Sequence, residues 1–145
     1  MQLHIKSFSE LTSDELYALL RLRAAVFVVE QNCVYQDLDD KDQASLHLFF
    51  SEGEEILAYA RVLPAGVSFP EVAIGRVIST RRRQGLGSRI VGEAITAAKE
   101  RFHADSIVLE AQVYARSLYE KLGFYRISEE FLEDGIPHIK MKLDC

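Results

Sequence analysis

The stretch TRRRQGLGSRIV, Thr80 to Val91, narrows the possible folds of this chain more than any other. Val72 to Ser79, just ahead of it, reads as a strand. After it, Leu86, Ile90, Val91, Ala94, Ile95, Ala98 and Phe102 form an apolar stripe at helical spacing. A strand, a glycine-containing turn and a helix aim several backbone N–H groups at one point. Together with the positive end of the helix dipole, those donors favour a phosphate. Gly85 and Gly87 keep bulky side chains from holding an anion away from the backbone. Contiguous Arg81, Arg82 and Arg83, with Arg89 nearby, repel one another, so an anion is the expected reason for keeping them together; each adds charge-assisted bonds.

Two phosphate loops fail on a residue count. A Walker loop needs G-x-x-x-x-G-K-[ST], which does not occur. A dinucleotide fingerprint starting at Gly85 would need glycine where Ile90 stands. What remains is R-x-x-G-x-G, from Arg82 to Gly87, a pattern that on its own also fits a solvated arginine turn with a glycine hinge.

The other elements follow from periodicity and punctuation. Gln2 to Lys6 reads as a first strand. Thr12 and Glu15 have capping-box spacing, and a helix with Leu16, Leu19, Leu20, Val26 and Phe27 on one face runs from there to about Val29. Glu30 to Asp42 is a long acidic loop, in which Glu30, Asp37, Asp39, Asp40 and Asp42 face the single Lys41; long connections of this kind are often functional. His47 to Phe50 and Ile56 to Leu63 read as strands joined by a tight turn, and Ser106 to Val113 as another. Ala115 to Leu122 reads as a short helix ended by Gly123, and Phe124 to Ile127 and Ile136 to Leu143 as closing strands. The expected fold is one α/β domain over residues 1–145, a central twisted mixed sheet flanked by helices. At 145 residues the chain is long enough to bury roughly 70% of its unfolded surface.

Charge and composition set the function classes aside in turn. A net charge of −5 argues against nucleic acid as a partner, because duplex binding rests on phosphate neutralisation. No apolar run is long enough for a membrane span, and the first residues lack an apolar signal core, so a cytoplasmic protein without membrane association is expected. Cys33 and Cys145, far apart in sequence, are expected as free thiols. No metal is expected.

Downstream, AQVYARSLYEKLGF, Ala111 to Phe124, ends in Leu-Tyr-Glu-Lys-Leu-Gly-Phe. Paired with the arginine–glycine loop, it closely resembles the GNAT superfamily of acetyl-CoA-dependent N-acetyltransferases. FVVEQNCVYQDLDDKD, HLFF, IGRV and DGIPHIKM are similar to the ElaA-like branch of that superfamily. The resemblance implies the GNAT fold, acetyl-CoA as co-substrate, a small-molecule or peptide amine as acceptor, and a homodimer as the form in which such proteins often occur.

Carried over position by position, the resemblance implies a pyrophosphate cradle of Arg82, Arg83, Gln84, Gly85, Leu86, Gly87 and Ser88, acting largely through main-chain amides. Val77, Ile78 and Ser79 would offer strand-edge groups to the pantetheine arm, which pairs like an added strand. Gln112 stands where the family often has Asn and can still hydrogen-bond that arm. Tyr119 would protonate the departing thiolate, in a direct attack without an acyl-enzyme, and a backbone N–H near Val77 would stabilise the oxyanion. Glu110 is the candidate base, directly or through a water, with Glu71 a second candidate. Glu30, Gln31, His47, Arg76 and His138 are candidate acceptor contacts, and Glu30, Asp37, Asp39 or Asp40 would draw a cationic amine to the entrance. Cys33 has no basic neighbour in sequence and reads as an ordinary thiol. A non-catalytic acyl-CoA-binding regulator is the competing reading; the intact Tyr119 speaks against it.

Overall fold

Strand β4, Val72–Ser79, and strand β5, Ser106–Gln112, are parallel neighbours joined through helix α2, Leu86–Phe102. They pair only at Val72 with Ile107 and at Ala73 with Val108. Beyond those residues the two strands part, and this divergence positions the site described below. The computed structural model describes residues 1–81 and 84–145.

The remaining strands build an eight-stranded mixed sheet around that pair. Strands β1 (Gln2–Ser7), β2 (Leu46–Glu52) and β3 (Glu55–Leu63) run antiparallel up to β4. On the far side β5 pairs antiparallel with β8 (Ile136–Asp144), which also carries β6 (Tyr125–Arg126) and β7 (Phe131–Glu133).

The two faces of the sheet follow from the alternation of strand side chains. On β2, Leu46, Leu48 and Phe50 pack with Ile90, Val91, Ala94 and Ala98 of α2. Phe49, pointing the other way, packs with Tyr59, Ile78 and Leu19 of helix α1, Ser13–Arg23. Fully burying a side chain such as Leu48 contributes about 1.5–3 kcal/mol. Helix α1 begins with the expected capping box: Glu15 N–H donates to Thr12 Oγ1 at 3.1 Å, and Thr12 N–H donates to Glu15 Oε1 at 2.9 Å. Helix α3, Arg116–Lys121, follows a single 3-10 turn after β5.

Three elements differ from the sequence expectation. The first helix keeps α geometry only to Arg23; Ala24–Glu30 continues as a π-helix, a wider winding that recurs at functional sites. The strand expected at Phe124 to Ile127 is reduced to Tyr125–Arg126. Strand β7 was not anticipated, although its turn has a signal in the sequence. Asp134 and Gly135 have φ of 52° and 79°, as a two-residue hairpin turn requires, and Asp-Gly is the favoured pair there. Among the described residues no helix is long and apolar enough to cross a membrane.

Candidate active site

Where β4 and β5 part, each strand has a hydrogen-bonded neighbour on its outer side only, β3 for β4 and β8 for β5. A cleft of about 1380 Å³ opens between them. A second hollow, about 250 Å³, lies at the start of α2 and is lined by Gly85, Leu86, Gly87 and Ser88. The two spaces share Ser79, Gly87 and Leu118, so they form one continuous trough.

Local backbone geometry explains how β4 presents itself. Tyr59 pairs with Ile78 but Arg61 pairs with Gly75, so Arg76 and Val77 together face the single residue Ala60. This is a β-bulge, and Arg76 sits in it with φ of 53°, in the left-handed region. The bulge falls within the stretch of β4 that lines the cleft, Gly75, Arg76, Val77, Ile78 and Ser79.

At the other end of the trough, Gly85 is the N-cap of α2 with φ of 68°, a conformation that glycine adopts without steric penalty. Helix geometry leaves the N–H groups of Leu86, Gly87 and Ser88 without acceptors inside α2. A Cβ on Gly87 would lie 3.1 Å from Leu118 Cδ1, so a glycine lets the helix start approach α3 this closely. Gln84 is exposed beside this turn. Arg82 and Arg83 lie outside the described residues. The flanking arginines are engaged otherwise: Arg81 is 3.4 Å from each of Glu52 and Glu55, and Arg89 lies 5.1 Å over the Phe50 ring.

Tyr119 of α3 lines the cleft and is 8% exposed, packed edge-on against Phe124 at 6.0 Å. Burial pushes its phenol up to about 12, so it holds its proton throughout the physiological range. Across the cleft, Glu110 and Gln112 stand on one face of β5, and Gln31 Nε2 donates to Gln112 Oε1 at 3.4 Å. Partial desolvation, reinforced by the Glu133 carboxylate, raises the Glu110 carboxyl above the ordinary range. His138 lies directly opposite Gln112 on β8, and Glu30 lines the same cleft.

The structure thus gathers Tyr119, Glu110, Gln112, Gln31, Glu30, Arg76, His138 and the β4 residues Val77, Ile78 and Ser79 around one trough. Three expectations need correction. His47 lies outside the cleft: it is 1% exposed, its Nε2–H donates to the Asp42 carbonyl at 2.9 Å, and its Nδ1 accepts from Tyr59 Oη at 2.7 Å. Burial holds its pKa below the usual value, so it is a neutral structural histidine. Glu71 likewise is not among the cleft residues.

The acidic loop is the third correction. Asp37 and Asp42 are buried, and the carboxylates of Asp37, Asp39 and Asp42 are neutralised internally rather than aimed at an acceptor. Arg23 donates to Asp37 at 2.9 Å and to Asp42 at 2.7 Å; Arg61 bridges Asp39 at 2.8 Å and Asp42 at 3.0 Å; Arg76 donates to Asp37 at 2.8 Å. Asp40 is exposed outside this lattice. The partners come from α1, β3 and β4, so sequence distance concealed them. Tyr35, Tyr114 and Glu133 also line the cleft and were not anticipated; the Asp134-Gly135 turn is the one signal that would have brought Glu133 in. Cys33, buried at the cleft wall, donates to the Asp134 carbonyl at 3.5 Å, and Cys145 is exposed; both are free thiols.

Comparison with known proteins adds the context of this geometry. Residues 10–145 match the acetyltransferase (GNAT) domain. The protein ElaA of Escherichia coli is 39% identical over 137 residues, spanning 92% of this chain and 90% of that protein. The crystal structure of that ElaA superposes with a TM-score of 0.92 at 36% identity, over 99% of this chain and 100% of the other. An acyl-CoA N-acyltransferase from Pseudomonas aeruginosa superposes with a TM-score of 0.91 at 38% identity, over 99% of each chain.

Proposed function

Because this chain belongs to the GNAT acetyltransferase family, we propose that it moves an acetyl group from acetyl-CoA to a primary amine by direct attack in a ternary complex. One observation carries this reading. An unpaired strand edge, a glycine-capped helix start and a buried, protonated tyrosine border the same trough. A phosphate-bearing thioester needs a donor cradle, an extended slot and a proton source, and the trough is bordered by all three.

The residues fit such a co-substrate. The N–H groups of Leu86, Gly87 and Ser88, with the dipole of a 17-residue helix behind them, suit the pyrophosphate. Gln84 and Gly85 shape that turn, and Arg82 and Arg83 belong to the same proposed cradle. The free edge of β4 at Val77, Ile78 and Ser79 suits the amides of the pantetheine arm, with Gln112 facing it from β5. The similarity to the Pseudomonas aeruginosa acyl-CoA N-acyltransferase supports the same assignment.

Each step then has a residue. The Val77 backbone N–H, in the bulge, stabilises negative charge developing on the carbonyl oxygen. Tyr119 gives its hydroxyl proton to the leaving sulfur. Its raised pKa makes it a reluctant acid but one that is always loaded. Glu110 takes part in removing the amine's proton, directly or through a water. Glu30 and Gln31 contact the acceptor, and Arg76 shapes the bulge between the two substrates.

The test is thiol release from acetyl-CoA, measured across a panel of primary amines with the full chain. Amine-dependent release supports the reading. Tight acetyl-CoA binding without release on any amine would leave only the coenzyme cradle and return the chain to the regulatory alternative.

A further inference from the structure

His47 and His138, the two histidines named above as candidate acceptor contacts, differ in one respect that bears on chemistry. His47 uses both ring nitrogens inside the protein, whereas His138 uses one. His138 is 8% exposed and stacks on Phe131 of β7, with centroids 6.0 Å apart and planes at 23°. Its Nδ1 lies 2.7 Å from the Ile136 carbonyl oxygen. A carbonyl only accepts, so Nδ1 carries a hydrogen, and in the neutral ring Nε2 is left with its lone pair. Among the described residues, Nε2 has no hydrogen bond. Glu133 Oε2, at 3.7 Å, is too far for one and acts as a charge neighbour.

This residue lines the cleft on the wall that carries Glu110 and Gln112. Nε2 is not among the buried polar atoms left without a partner, so its lone pair keeps contact with solvent in the cleft, unlike the two engaged ring nitrogens of His47. The Ile136 carbonyl also selects the tautomer and fixes the ring plane, as a positioned base requires. An imidazole, with an ordinary pKa of about 6.5, is better matched to neutral pH than a carboxyl, ordinarily about 4.3.

We propose that His138 is a catalytic residue, whose Nε2 receives the proton given up by the acceptor ammonium. The assignment rests on the acetyltransferase reading above. One N–H bond of the ammonium breaks, its electron pair stays on nitrogen, and the proton binds Nε2, either directly or by way of the Glu110 carboxyl or a water. The freed pair forms a C–N bond to the thioester carbon. The C–S bond breaks with its pair going to sulfur, which takes the Tyr119 proton. The surplus proton on the new amide nitrogen restores Tyr119 through solvent, and the imidazolium returns its own to water. An ammonium and a thioester thus become an amide, a thiol and one released proton. The charged groups of this wall are Glu133 on β7, 3.7 Å from Nε2, and Glu110 on β5, whose carboxyl also feels Lys140 on β8 and Lys41.

The test uses the full-length chain with the most active amine of the panel. In His138→Gln, kcat/KM near neutrality should fall about 100-fold. The acid limb of the pH profile should disappear, and acetyl-CoA affinity by calorimetry should be unchanged. Nitrogen-15 NMR of the wild-type ring should show the neutral Nδ1–H tautomer, a readout that needs no turnover and decides the matter if His138→Gln does not fold. An Nε2–H tautomer would overturn the assignment, and so would a His138→Gln protein that binds acetyl-CoA and keeps wild-type kcat/KM and acid limb. A wild-type protein that binds acetyl-CoA but acetylates no amine overturns the acetyltransfer reading first, and this assignment with it.

Discussion

Arg76, the left-handed residue of the β4 bulge, donates from Nε to Asp37 Oδ1 at 2.8 Å and so ties the acidic loop to the strand that borders the cleft. Asp37 also accepts from Arg23 of α1 at 2.9 Å, and its side chain is 9% exposed. Removing its charge leaves two guanidinium groups short of a counter-ion in a poorly solvated place. Breaking one side of a buried ion pair typically costs about 3–5 kcal/mol. Asp37→Ala should therefore lower the free energy of unfolding by about that much, read from the urea midpoint at an unchanged slope.

The same lattice sets a pH dependence. Burial opposes the charged forms of Asp39 and Asp42, but hydrogen bonds and charge from Arg61 and Arg23 prevail and hold both carboxyls below the usual range. A depressed folded pKa means that these groups stabilise the fold fully above their unfolded value, about 3.9. That contribution is lost as pH falls below about 4 toward the folded values. Urea midpoints should be nearly flat from pH 7 to 5 and then decline, and in Asp39→Asn the decline should be shallower.

Tyr119→Phe keeps the ring, its edge contact with Phe124 and the core, and removes only the hydroxyl. kcat should fall by about 10²-fold or more, while acetyl-CoA affinity changes little. A variant with wild-type kcat at saturating substrates would remove Tyr119 as the acid.

Gly87 is the counterpart test for coenzyme binding. Its Cβ position lies 3.1 Å from Leu118 Cδ1 and faces the trough. Gly87→Glu adds bulk where the helix start meets α3 and a negative charge where a pyrophosphate is proposed. Calorimetry should detect no acetyl-CoA binding, with the folded far-ultraviolet spectrum retained. Gly87→Ala asks only that a flexible leucine end shift, and should weaken binding far less.

Much of this fold is written in local patterns. The Thr12–Glu15 box, the α2 stripe and the alternation of Leu48, Phe49 and Phe50 each report one element through its own periodicity. The trough was legible where a motif is contiguous, as with Gly85 to Ser88 and Tyr119. The acidic loop misled because charge in a sequence does not reveal its partners. Arg23, Arg61 and Arg76 lie in three different elements, and only the folded sheet brings them to Asp37, Asp39 and Asp42. The histidines were undecidable for the same reason. Which ring nitrogen is satisfied depends on Tyr59 and Asp42 for His47, and on a neighbouring carbonyl for His138.

Arg76 combines two opposed contributions that a single substitution separates. Its φ of 53° is unfavourable for any residue with a Cβ, by about 1–2 kcal/mol, and glycine would remove that strain. Glycine would also delete the hydrogen bonds to the Asp37 carboxylate at 2.8 Å and to the Asp37 carbonyl at 3.0 Å, leaving a largely buried carboxylate with one guanidinium fewer. The lost pairing outweighs the relieved strain, so Arg76→Gly should be less stable than wild type, though by less than Asp37→Ala. Arg76→Ala keeps the strain and loses the pairing, and should be the less stable of the two Arg76 variants by about 1 kcal/mol. In both, loss of the tether frees the bulge beside Val77, whose N–H is the proposed oxyanion donor, so kcat should fall while acetyl-CoA affinity, proposed to be set mainly at the start of α2, is nearly retained. If Arg76→Gly matched wild type in both stability and kcat, the bulge would hold its shape without the loop, and Arg76 would have no part in positioning the oxyanion donor.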